Sequence, residues 1–508
     1  MAQGVLPFKY EAERRATGMT ALAGLPAYLD LAEVIGLSKS IQKHLKIRQG
    51  DQGWTDSQMI LSLVLLNLAG GDCVEDIKKV EADDGFCEVL KKAEMHGLKR
   101  KVRRALLRRW RKEKTRAVPS PSAIFRYLGK FHDKEQEKYR QPGKAFIPAS
   151  NEHLKSLVGI NQDLAAFANL QEFGKTATLD MDATIVATGK ESALYCYKGY
   201  KSYQPLNTWW AERGIVLYTE FRDGNVPAGF EQLRVLKEAL ECLPEGIDTV
   251  RLRSDTAGYQ HDLLKYCATG QSDRFGVIEF AIGCNVTPEF KKAVAEQEES
   301  EWNKIYKVVN GKKQETGVEW AEVCFVPNAI GHSKKGPEYR YLAKREAIAE
   351  QQMLPEMDEQ LKLPFPTMNI KGTKYKVFGI VTNMDWEGEE LIHWLHERCG
   401  KSEEAHAVMK EDLAGGRLPS DDFGENAAWW WIMILALNLN AMMKKLVLGE
   451  SWMPKRMKAV RFTVINLPGR VVSRSRGLII RLTKNHPSLD LLIEARKKIL
   501  LLRPMPSG

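Results

Sequence analysis

The segment from Lys175 to Cys284 places the tightest constraint on the fold. Apolar and polar residues alternate in ATLDMDATIVAT and again in GIVLYTEFRDGN, where Asp223-Gly224 reads as a hairpin turn. IDTVRLRSD then reads as a strand ending in Asp255, YQHDLLKYC as a helix and FGVIEFAIGC as a further strand. Period-two runs interrupted by a helical one leave a chain few options beyond helices packed on a sheet. The expected class is α/β.

The flanking regions have a different texture. Residues 1–172 read as helical. Thr55-Asp56-Ser57 starts a helix that runs through MILSLVLLNLAG to Gly70-Gly71, and in VPSPSAIFRYLGKF Ser122 is the expected N-cap of a short helix. After the first core segment, 173–284, residues 285–372 are mixed and rich in Glu, Lys and Gln, which suggests an insertion. Over 373–450, KYKVFGIVTN reads as a buried strand and DWEGEELIHWLHERCGKSEEAHAVMKEDLAGG as one long helix. Residues 451–508 hold a strand pair in NLPGRVVSRSRGLIIRL and a closing basic helix. The most apolar run, Ala427–Met443, is 17 residues long and contains Asn438 and Asn440, so it is expected to be a buried core helix rather than a membrane span.

Charge then narrows the partner. The formal net charge is +10, and the 18 residues from Lys99 to Arg116 hold 11 basic residues and one acid, so this window carries the entire excess. Val102, Leu106 and Trp110 give it one apolar stripe, with basic residues on the other faces. Such a concentration points to a polyanion. Arg103, Arg104, Arg108, Arg109, Arg111 and Lys112 are the expected phosphate contacts. The eight cysteines are scattered without a CxxC pair, and the N-terminus lacks an apolar signal region. A cytoplasmic protein with no membrane partner is expected.

Three acids stand out. Asp182 lies in LDMDAT, two residues after Asp180 and on the same strand face; Asp255 closes VRLRSD; Glu403 lies within the long helical segment. Carboxylates drawn together from separate elements can hold two Mg²⁺ ions, with Mn²⁺ as the substitute. His393 and His396 fit no zinc-protease spacing. Trp429, Trp430 and Trp431 are expected in the core, as are Trp209 and Trp210, with stacking on DNA the other reading for each group.

The pieces PSPSAIFRYL, LDMDAT, LRSDTAGY, VTNMDWEGEELIHWLHERCGKSEEAHAVMK and RVVSRSRGLIIRL, in that order, resemble the DDE transposases of bacterial insertion sequences, more narrowly insertion-sequence family 1380. The resemblance implies an RNase H-like catalytic core with a β-rich insertion, preceded by a helical DNA-binding domain. It implies that Asp182, Asp255 and Glu403 hold two Mg²⁺ ions, that Lys410 contacts the transposon end, and that Arg398 stands in for a motif arginine whose position falls on Cys399. The implied reaction is DNA strand cleavage at element ends and joining of the 3′-hydroxyl to target DNA. A homodimer on paired terminal repeats in a bacterial, nucleoid-associated setting goes with it. A metal-dependent nuclease without joining and a non-catalytic DNA-binding derivative are the alternatives.

Overall fold

The computed structural model describes residues 17–50, 52–109, 111, 115–309, 311–327, 337–348, 365–399, 401–474 and 477–504. Helices dominate as far as Gln171. They include α1 (Asp56–Ala69), α2 (Arg100–Arg108), α3 (Pro121–Leu128) and α4 (Glu152–Gln171). Helix α1 has a full capping box, Thr55 with Gln58, and ends on Gly70 at φ 101°, as its sequence predicts. The N-cap of α3 is Ser120 rather than Ser122, because Pro121 fits the first helical turn and leaves Ser120 to accept from Ala123 N. Helix α2 forms, but none of its residues is buried: Val102 is 49% exposed and Leu106 only partly covered.

The sheet begins with β1 (Thr176–Ala183), β2 (Leu206–Trp210) and β3 (Ile215–Glu220). After helix α5 (Gln232–Glu241) come β4 (Thr249–Ser254), helix α6 (His261–Ala268) and β5 (Glu279–Cys284). Strands β1, β4 and β5 run parallel, and β2 is antiparallel to both β1 and β3. The resulting spatial order 3-2-1-4-5, with helices between β3 and β4 and between β4 and β5, is the RNase H-like arrangement.

Strands β6 (Asn303–Val309), β7 (Lys312–Glu322), β8 (Arg340–Ala347), β9 (Thr367–Ile370) and β10 (Thr373–Thr382) follow. They continue the same sheet past β5, in the order β6-β7-β8-β10-β5-β4-β1-β2-β3 with β9 on β10, making ten strands among the described residues. The insertion therefore extends the core sheet. Asp223-Gly224 is not a hairpin turn. It leads from edge strand β3 towards α5, and Asp223 is buried in a two-bond ion pair with Arg140, at 2.7 Å each.

The segment read as one long helix is broken into α7 (Gly388–His396), α8 (Lys401–Ala407) and a wider turn over Val408–Asp412. Next comes α9 (Phe423–Met442), in which every residue except Ala441 is buried, Trp429, Trp430 and Trp431 included. The helix Phe423–Leu448 is long and apolar enough to cross a membrane, and 78% of its most apolar window is buried inside the protein. It packs on α1, α4 and β3. Its amides explain why a polar residue belongs there: Asn438 accepts from Val216 N at 2.8 Å and donates to Asn161 Oδ1 at 2.7 Å, locking edge strand β3 to two helices.

One apolar core runs through the early helices, the sheet and α9. The chain closes on itself as well, because Met19–Thr20 pairs with the strand Gly469–Arg474, which in turn pairs with Gly477–Arg481. Helix α10 (Ser488–Leu501) follows.

Candidate active site

Alternation along β1 sends Ala177, Leu179 and Met181 into one buried layer and Thr178, Asp180 and Asp182 to the other face. The two aspartates then part company. In the parallel pairing of β1 with β4, Asp180 is level with Arg253 and Met181 with Ser254, so Asp182 and Asp255 fall together just beyond, at the carboxyl ends of adjacent strands. Ligands of open α/β sheets gather at that edge.

Asp180 is fully engaged. The Arg253 guanidinium bonds both of its oxygens, at 2.6 and 2.8 Å, and the Arg253 side chain is 2% exposed. Arg253 also donates to the Trp394 carbonyl at 2.6 Å and to Glu397 at 3.3 Å, and its guanidinium lies 4.9 Å from the Trp394 ring centroid. Burial works against the Arg253 charge, but Asp180 outweighs it and raises its proton affinity. One arginine thus ties β1 and β4 to the end of α7.

Just past that break, Arg398 is 9% exposed, with Nη1 3.6 Å from Asp182 Oδ2. Ser402, on the first turn of α8, donates its hydroxyl to the same carboxylate oxygen. One turn further on, His406 is buried, and its Nε2 has no hydrogen-bond partner among the described residues. Burial lowers its proton affinity, and the neighbouring Asp182 charge opposes that shift.

Asp255 accepts from Ala257 N at 2.9 Å across a short turn. Its carboxyl is raised above the ordinary range, first by desolvation of its inner side and then by the charge of Asp182; Arg398 counters in part. A carboxyl raised by the charge of a neighbouring carboxylate favours a cation beside it.

Glu403 follows Ser402 on α8 and is exposed. Among the described residues, Asp182, Asp255 and Glu403 are not gathered into a ready three-ligand cluster. Lys410 is half-buried and donates to the Ile185 carbonyl at 3.3 Å, on the segment that leaves β1 after Asp182. Burial pushes its amine below the usual lysine value.

Of the expected phosphate contacts, Arg103, Arg104 and Arg108 are exposed on α2. Arg109 donates to the carbonyls of Gly53 and Gln52 at 3.0 and 2.9 Å, and the Arg111 guanidinium lies 4.2 Å from the Trp54 ring centroid. Lys112 and Trp110 lie outside the described residues. Of the two histidines, His393 faces Glu389 at 3.6 Å and His396 meets Lys344 at 3.2 Å. Trp210 is buried, and Trp209 is partly so.

Sequence reasoning missed Arg253, Ser402 and His406. Each left a signal: Ser402 and His406 are four residues apart and share one helix face. For Arg253 the signal is a charge placed in the apolar strand VRLRS.

A comparison with curated proteins finds no match. Among solved structures, the cryo-EM structure of a piggyBac transposase synaptic complex with hairpin DNA is similar at 11% sequence identity, with a TM-score of 0.44, covering 87% of this chain and 79% of that one. The family model described as transposase DDE domain, group 1, matches residues 9–504. With the match running nearly the whole length of the sequence, the chain belongs to the transposase DDE domain family, group 1.

Proposed function

We propose that this transposase cuts DNA strands at the ends of an insertion sequence and joins the resulting 3′-hydroxyl to target DNA, with Asp182, Asp255 and Glu403 as its catalytic carboxylates. The observation that carries this reading is the meeting of Asp182 and Asp255 at the carboxyl ends of paired parallel strands, with α8 tied to Asp182 through Ser402. The donor set suits hard divalent ions. Both aspartates offer oxygens at the same strand ends, and desolvation and the Asp182 charge raise Asp255.

Two Mg²⁺ ions held there would activate the attacking oxygen and stabilise the leaving one. The chain's own residues supply the positioning. Arg253 fixes the strand ends against α7, and Arg398 and Ser402 orient the Asp182 carboxylate. Lys410 stands beside the outgoing chain, where it would meet a phosphate of the element end. Exposed α2, with Arg100, Lys101, Arg103, Arg104 and Arg108 and no buried residue, supports a second contact with the duplex backbone. Membership in insertion-sequence family 1380 and assembly as a homodimer on paired ends belong to the same proposal.

The test is cleavage and strand transfer on the terminal repeats flanking the gene, with and without Mg²⁺. Asp182→Asn, Asp255→Asn and Glu403→Gln are each expected to lower the cleavage rate at least 10³-fold while leaving DNA binding intact. Full cleavage by any one of them removes that residue from the site. Cleavage without joining by the parent protein makes it a nuclease.

A further inference from the structure

Between β1 and β2 the chain leaves the main sheet and builds a small lobe from three short strands, Val186–Ala187, Leu194–Tyr195 and Lys201–Tyr203. Its stem is tied down on several sides. Arg140 donates to the Ser192 carbonyl at 3.0 Å, Glu191 N to Asp421 at 2.7 Å, Lys190 to the Pro419 carbonyl at 3.2 Å and Gly224 N to the Ser202 carbonyl at 2.9 Å. The tip is a tight turn in which Cys196 N bonds the Tyr200 carbonyl and Gly199 N the Cys196 carbonyl, both at 3.0 Å. Gly199 sits at φ 82°, where a side chain would be strained.

This fixed turn holds three large aromatic residues out in solvent: Tyr195, Tyr197 and Tyr200 are 62, 79 and 39% exposed. The lobe's first strand begins four residues after Asp182, and Lys410 bonds the segment leading into it at Ile185. Lys198 stands 5.8 Å from the Tyr197 ring centroid, and its charge reaches Lys410. Lys190, Lys198 and Lys201 outnumber Glu191 within the lobe. Grouped exposed rings of this kind mark a contact surface, and the surrounding positive charge selects a polyanion.

We propose that Tyr195, Tyr197 and Tyr200 form a stacking platform for unpaired bases of the DNA strand beside the cut. A paired duplex hides the faces of its bases, whereas single-stranded nucleotides offer them to aromatic side chains while lysines track the phosphates. The inference rests on the reading that Asp182 and Asp255 process DNA, because that reading puts a broken strand next to the lobe.

The test uses the full-length protein with Ca²⁺ in place of Mg²⁺. Its probes are a duplex bearing a six-nucleotide single-stranded 3′ tail labelled with 2-aminopurine and the same duplex with blunt ends. The parent protein is expected to prefer the tailed probe and quench its fluorescence. Tyr195→Ala, Tyr197→Ala and Tyr200→Ala are expected to weaken tailed-probe binding by roughly 5- to 150-fold for each stacked base, with blunt-duplex binding unchanged and Phe replacements retaining both signals. No preference by the parent protein, or equal loss on both probes, or loss in the Phe variants, overturns the proposal. Asp182→Asn, assayed for cleavage with Mg²⁺ and for quenching with Ca²⁺, separates the two readings: it is expected to abolish cleavage and keep the quenching. Cleavage by that variant defeats the carboxylate assignment while the tyrosine result is judged on its own.

Discussion

Asp180→Ala removes one carboxylate from Arg253, whose side chain is 2% exposed and makes two short bonds to it. The guanidinium is left with the Trp394 carbonyl and a long contact to the largely exposed Glu397. Breaking a buried ion pair on one side costs about 3–5 kcal/mol, mostly from the stranded charge. For a urea slope of about 3 kcal/mol/M, the unfolding midpoint falls by about 1–1.7 M. Asp182→Ala is expected to cost less, since Arg398 meets Asp182 only at 3.6 Å and the repulsion with Asp255 disappears, which offsets the acceptor that Ser402 loses. Its midpoint is expected to stay within about 0.3 M, a cost under about 1 kcal/mol, while cleavage is lost. Asp180→Leu combined with Arg253→Met should recover much of the stability lost in the single variants, since apolar replacement of a buried pair is often neutral. Urea titration followed by tryptophan fluorescence, alongside the cleavage assay, checks all three variants. An Asp180→Ala protein as stable as its parent, or an Asp182→Ala protein that loses 3 kcal/mol, refutes the division of roles between the two aspartates.

Three further expectations follow from other parts of the molecule. Reversing Arg103, Arg104 and Arg108 to Glu should reduce the slope of log K against log salt for duplex binding by about 2.7, at about 0.9 per lost phosphate contact; an unchanged slope moves the duplex contact away from α2. Asn438→Leu leaves the Val216 N–H and Asn161 Oδ1 without their partner and should destabilise by about 2–5 kcal/mol in thermal unfolding, whereas a loss below 1 kcal/mol would show the amide bridge to be dispensable. His396 is held down to about 4 by burial and then by Lys344; because its folded value lies below the unfolded one near 6.5, protonation favours unfolding. Stability is therefore expected to fall as pH drops from about 6.5 to 4, and His396→Gln should flatten that fall in a pH series of urea midpoints.

Four of the five core strands, β1, β3, β4 and β5, could be read from sequence, and so could α9, because its apolar run is long and its asparagines too polar for lipid; β2 could not, because LNTWW shows no apolar-polar alternation. The break after α7 could not. Gly400 lies between α7 and α8, but one glycine does not by itself decide that a helix ends, and tertiary contacts also hold the two ends apart, Arg253 on the Trp394 carbonyl and Arg398 beside Asp182. Alternation likewise placed Asp180 and Asp182 on one face without telling them apart, since the difference is made by an arginine 73 residues away. The stripe on α2 was real as a pattern, but periodicity carries no information on whether a partner surface exists. The aromatic lobe escaped because its strands are two or three residues long, below the length at which a period of two can be recognised.

The pairing of Met19–Thr20 with Gly469–Arg474 has a consequence for how the chain comes into being. About 450 residues separate the two partners, so on a ribosome adding 5–20 residues per second the early strand waits roughly 20–90 s for its mate. Helix α1, with most of its residues destined for burial against α9, waits nearly as long. The clasp and the core are completed only near the end of synthesis. A message truncated before α9 would yield early helices and a sheet without the helix that packs between them, a species for chaperones and proteases rather than a partial transposase holding DNA.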